Sequence, residues 1–107
     1  MDAFWTTEER TFRGAVRDRL RRDGRTARLP PPRTLPERAA VVEEAARHEP
    51  RFGRELAREV RDAAAPDAIA EAVLDRAWLA GAAAHVLEAG TLAARERGDF
   101  ASSLMGC

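Results

Sequence analysis

"PDAIAEAVLDRAWLAGAAAHVLEAGTLAARERG", residues 66 to 98, decides the fold. Pro66 and Asp67 suit the opening turn of a helix, and Gly98 is expected to stop it after Arg97, with Arg95 and Arg97 facing the negative end of the helix dipole. No alternation with period two interrupts the stretch, and β-branched residues are sparse. A helix over 67–97 would measure about 46 Å, whereas a compact chain of this length has a radius of gyration of about 13 Å. Such a helix must kink, at Gly81 or Gly90, or project beyond its own domain. Its middle, "AWLAGAAAHVLEAGTLAA", is apolar nearly all round, the pattern of a helix buried on most faces. Three shorter helices can hardly cover it, so a second chain, identical or not, is expected to complete the core. Leu74, Trp78, Gly81, His85 and Leu87 are the expected interface residues.

Working outward, the remaining chain also reads as helical. Thr6 can cap a first helix, with Glu9 three residues on completing a capping box, and Phe12, Val16 and Leu20 then share one face up to Asp23 and Gly24. The segment 25–36, which contains "LPPPRTLP", lacks amide donors at its prolines and is expected to be a stiff, extended connector. Thr34 and Glu37 offer another capping box for a helix over 37–48 that carries Val41, Ala45 and His48. Pro50 can occupy the first position of a helix over 50–64, with Phe52, Leu56 and Val60 aligned. The expectation is one all-α domain over 1–107: a small four-helix domain with a long C-terminal helix, completed by oligomerisation.

The 107 residues bound the core to one of modest size. A chain of this length buries about two-thirds of the surface it exposes when unfolded. Hydrophobic residues are 45% and charged residues 34%, which is globular, and no apolar run nears the ~20 residues that span a bilayer. The opening "MDAFWTTEER" has no apolar core of a secretory leader, so a cytoplasmic location is expected. A single cysteine, Cys107, excludes an internal disulfide and a cysteine-based zinc cage, and an exposed thiol is expected there.

All 18 basic residues are arginine and balance 18 acids, but unevenly. Arg17 to Arg38 carries eight arginines against Asp18, Asp23 and Glu37, while Ala39 to Asp99 carries eight against twelve acids. With no net basic excess and no aromatics interleaved in the arginine run, this is a poor footprint for nucleic acid. The basic run is expected to pair with acids elsewhere in the fold or in a partner.

Candidate chemistry is thin. His48 has Glu44 one turn before it and His85 has Glu88 close after, but nothing supplies the further ligands of a metal site or a nucleophile. Glu55, Glu59 and Asp62, interleaved with Arg54, Arg58 and Arg61, read as an ion-paired solvent face. "RFGRE", from Arg51, lacks the strand that precedes phosphate loops. Trp5 and Trp78 are expected to anchor the core. No catalytic or metal-binding residue is assigned.

Three stretches in order carry a family resemblance. "AAAHVLEAGTLAARERGDFASSL" resembles the start of the C-terminal helical domain of acyl-CoA dehydrogenases, approximately G-x-A-x-x-A-L-E-x-A-x-x-Y-A-x-x-R-x-x-F-G-x-P-L, with Leu87, Glu88, Ala94, Arg97, Phe100 and Leu104 on pattern. "TTEERTFRGAVRDRL" is similar to that family's first helix, and "AAVVEEAARHEP" to its V-x-E-E-L-A-R-x-D-P segment. Ala93, Ala101 and Ser103 depart from the aromatic, glycine and proline of the pattern. These 107 residues leave no room for the central β domain that holds much of the flavin and acyl-CoA site, or for the helices that carry the catalytic carboxylate. The resemblance implies a non-catalytic relative, a pseudoenzyme, that acts through self-association or as an accessory subunit beside an acyl-CoA-dehydrogenase-like chain. The alternative it implies is one piece of a split flavoenzyme, with Arg97 and Phe100 on FAD held by a partner. The isolated chain is expected to hold no cofactor.

Overall fold

In the computed structural model, residues 6–61 and 67–104 are described, with 92–104 described as backbone only. Trp5, Asp62 and Cys107 lie outside these residues. The chain is all-α: α1 (Thr7–Asp23), a 3-10 turn (Gly24–Thr26), α2 (Leu35–His48), α3 (Pro50–Val60) and α4 (Ala68–Leu104).

Local sequence sets the helix starts. The Thr6 hydroxyl accepts from the Glu9 amide while the Glu9 carboxylate accepts from the Thr6 amide, both at 3.1 Å, closing a capping box ahead of α1. Gly24 ends α1 with a positive φ, a conformation that a β-carbon would strain, and its amide donates to the Leu20 carbonyl. Residues 27–33 then run without helix, but α2 begins at Leu35, earlier than its expected start at 37. Pro36 fits the first turn, where its missing amide leaves no bond unmade. The Thr34 hydroxyl caps the Glu37 amide, but the Glu37 carboxylate takes the Arg33 amide instead of closing the box. Pro50 opens α3, which ends at Val60, short of the expected residue 64, with Arg61 already extended.

Helix α2 is the hub. Its Val41 and Ala45 join Val16 and Leu20 of α1 and Phe52 of α3 in one buried cluster, onto which Phe12, Ala27, Leu29 and Leu56 pack. The opposite side of the same helix supplies Ala39 and Val42 to a second cluster with Leu74 and Ala77 of α4, edged by Trp78. Ala46, fully buried between the two, allows both flanking helices to come close. A β-carbon on Gly53 of α3 would stand 2.5 Å from the Ala46 β-carbon, and one on Gly81 of α4 2.7 Å from the same atom. Glycine at both positions is therefore a condition of this three-helix approach.

Helix α4 is one unbroken element of 37 residues, about 55 Å long, and it passes Gly98 without stopping. A glycine inside a helix costs only about 1 kcal/mol, so the expected stop after Arg97 does not occur. Projection follows: the molecule measures 62 × 30 × 25 Å with a radius of gyration of 16.8 Å, and α2, at 14 residues or about 21 Å, cannot flank all of α4.

Candidate functional site

The basic run near the N-terminus folds onto acids of α2 and α3. Glu44 is only 3% exposed, and Arg17 reaches it through Nε at 3.2 Å and Nη2 at 2.7 Å, while Arg13 donates to it at 3.3 Å and also pairs with Glu43. A carboxylate at this depth requires such partners, because burying an unpaired charge costs several kcal/mol. At the next corner Arg25 spans Glu49, through Nε at 3.0 Å, and Glu55, through Nη1 at 3.1 Å, with its guanidinium 5.2 Å from the Phe52 ring centre. Those hydrogen bonds hold the Glu49 carboxyl below the usual carboxylate range and push the Arg25 guanidinium further up.

Neither histidine pairs with its neighbouring carboxylate. Glu44 is engaged by Arg13 and Arg17 of α1, Glu88 is held by Arg47 at 2.6 Å, and the His85 Nδ1 lies 3.1 Å from the Arg47 carbonyl. Arg17, Leu20, Glu44, Arg47, His48 and Glu88 line a small cleft, but guanidiniums engage both of its carboxylates, so neither is poised as a general base. Among the described residues, no group of three His, Cys, Asp or Glu side chains could hold a metal ion, and no helix is long and apolar enough to cross a membrane. Among the described residues, which leave out Asp62, the expected ladder of ion pairs along α3 does not form. Glu55 pairs with Arg25, and Arg61 with Glu71 of α4 at 2.9 Å, so these pairs tie elements together.

The interface candidates divide by face. Leu74, 4% exposed, and Gly81 pack on α2, Trp78 donates its indole N–H to the Pro50 carbonyl at 2.8 Å, and His85 meets the end of α2. These four face their own chain. Leu87 is 71% exposed and shares the other side with Ile69 at 71%, Leu79 at 59% and Val86 at 65%. The middle of α4 is thus covered by its own chain on one side only, as expected of a helix that three shorter helices can hardly cover. Ile69, Ala72, Arg76, Leu79, Ala83, Val86 and Gly90 follow one another at steps of three and four, the spacing of a coiled-coil seam. From Leu79 to Gly90 the exposed residues are Leu79, Ala80, Ala83, Val86, Leu87, Glu88, Ala89 and Gly90. Its single charge, Glu88, is neutralised by Arg47.

Arg97 and Phe100, the FAD-contact candidates, lie on the backbone of α4, but their side chains fall outside the described residues. Comparison with protein-family models, with curated proteins and with solved structures finds no match. The acyl-CoA dehydrogenase resemblance therefore rests on its three sequence stretches alone.

Proposed function

We propose that this chain is a non-catalytic helical protein that works by self-association, and that the outer face of α4 pairs with the same face of a second copy. The observation that carries this is the strip from Ile69 to Gly90, about 33 Å long, with four large aliphatic side chains more than half exposed. A footprint of that length and about 10 Å width lies within the range of the largest apolar patches on monomers, which are often functional. A second copy suits it because the exposed face from Leu79 to Gly90 carries one charge, Glu88, which Arg47 neutralises, so like charges do not meet when that face meets itself, and its alanines and glycine admit close helix approach. Helix α4 also runs past the end of α2, which leaves room for another helix alongside. The resemblance to acyl-CoA dehydrogenases agrees, since it implies that pairing helices are what this chain has kept.

The test is the native mass of the full chain and of Leu79→Glu by light scattering over a range of concentrations. Each half-exposed aliphatic side chain contributes about 1–2 kcal/mol when covered, and the substitution acts twice per pair, so association weakens on the order of a hundredfold or more. A second reading places the chain beside a larger acyl-CoA-dehydrogenase-like protein, with Arg97 and Phe100 reaching its FAD. It is favoured by the unbroken course of α4 through both positions. A yellow complex with a larger chain on purification from the source cells would select that reading over a colourless homodimer.

A further inference from the structure

Beyond self-association, α3 and α4 enclose a second feature. Pro50, Arg51, Arg54, Glu55, Arg58 and Trp78 line a groove whose volume falls within the range of small-molecule sites. Arg51, Arg54 and Arg58 stand at i, i+3 and i+7, on one side of α3. The Trp78 ring is fixed by its bond to the Pro50 carbonyl, and the Arg54 guanidinium lies 3.8 Å from its centre.

These arginines take no part in the ion pairs that tie one element to another. Arg13, Arg17, Arg25, Arg47 and Arg61 all meet carboxylates of other elements. No carboxylate of the described residues forms an ion pair with Arg51, Arg54 or Arg58, and Glu55, the acid in the groove, is turned to Arg25. Helix stability accounts for Arg58, in the last turn of α3 where positive charge suits the dipole, but not for the other two. Arg54 and Arg58 are like charges one turn apart, and Arg51 adds positive charge to the first turn of α3, which contains no acid. Stacking on Trp78 satisfies Arg54 alone. Among the described residues, three guanidiniums without an ion pair therefore stand beside a fixed aromatic wall.

Seven residues of helix span about 10 Å, so the three forks can address more than one anionic group, and the planar guanidinium matches phosphate oxygens in pairs. We infer that this groove binds a soluble anion carrying two or more phosphate groups, with Arg51 and Arg58 gripping the phosphates and the Arg54–Trp78 stack forming the wall. An inorganic oligophosphate and a nucleoside polyphosphate share this chemistry; only the nucleotide has a base to lay on the stack.

The experiment is calorimetric titration of the full chain with inorganic triphosphate and with ATP at matched ionic strength. It is repeated while Trp78 emission is followed in a Trp5→Phe background. Saturable binding with a change in Trp78 emission is expected. The double variant Arg51→Ala, Arg58→Ala should lower affinity on the order of a hundredfold, since each lost charge-assisted bond is worth roughly tenfold or more. ATP binding more tightly than triphosphate, by a margin that Trp78→Leu removes, identifies the nucleotide; equal affinities identify the phosphate chain alone. Heats that do not saturate, or affinities unchanged in the double variant, overturn the proposal. Calorimetry on the unaltered chain decides even if a variant fails to fold, and none of these readings depends on whether α4 pairs.

Discussion

Gly81→Ala probes the packing on which the whole arrangement of α2 and α4 rests. The added β-carbon would stand 2.2 Å from the Glu43 carbonyl oxygen, 2.7 Å from the Ala46 β-carbon and 3.0 Å from the Arg47 amide nitrogen. Two of these three atoms are backbone, so no side chain can swing away, and α2 and α4 must part by about an ångström to restore van der Waals distance. Overpacking of this kind costs about 1–3 kcal/mol, and the rigid neighbour puts this site at the upper end. Against it stands the helix preference of alanine over glycine, about 1 kcal/mol. The net expectation is a loss of about 2 kcal/mol, or a Tm lower by roughly 8–16 °C for a domain of this size. Gly14 serves as an internal control, because a β-carbon there meets nothing within 4 Å. There only the propensity gain remains, so Gly14→Ala should be up to about 1 kcal/mol more stable. Urea unfolding followed by circular dichroism measures all of these. If Gly81→Ala unfolds at the same or higher urea concentration as the parent, the close approach of α4 to α2 is wrong.

Two further perturbations address the polar ties. Glu44→Ala removes the buried acceptor of Arg13 and Arg17; breaking such a pair costs about 3–5 kcal/mol when the remaining charge stays buried, and Arg17, 37% exposed, can turn toward water, which places the loss near or below the low end in urea unfolding. Acid should weaken the Arg25 corner. The Glu49 carboxyl lies lower in the folded than in the unfolded chain, so its contribution is present above the ordinary carboxylate pKa and is lost as pH falls through the folded value. Thermal unfolding between neutral and acid pH should show this fall, and Arg25→Ala should flatten it; an unchanged acid limb in that variant would contradict the assignment.

Much of this fold is legible in the sequence because its signals are local. Thr6 with Glu9, Thr34 ahead of Glu37, and Pro50 at a first helical position each mark a helix start by their own chemistry. Val16, Leu20, Phe52 and Leu56 show their core faces through spacing alone. The orientation of α4 is not legible in the same way. A segment apolar nearly all round gives no amphipathic marker, and what turns Leu74 and Gly81 inward is the fit of Gly53, Ala46 and Gly81, a contact among three separate helices. The seam of Ile69, Leu79 and Val86 is present as a repeat of threes and fours, but its exposure depends on α2 taking the opposite face. The arginines of α3 resemble an ion-paired surface in sequence; the pairing of Glu55 with Arg25, 30 residues away, turns away from Arg51, Arg54 and Arg58 the acid that stands among them.

The central claim is that the outer face of α4 meets its copy in solution. It is tested most directly with a spin label at Ala80, which flanks the seam, in a Cys107→Ser background, by dipolar spectroscopy between labels. A short, well-defined distance between two copies, lost on adding Leu79→Glu, is the result expected. No coupling at concentrations where the native mass is twice the chain's 11.8 kDa would place the contact elsewhere. A mass of one chain at every concentration would remove the claim altogether.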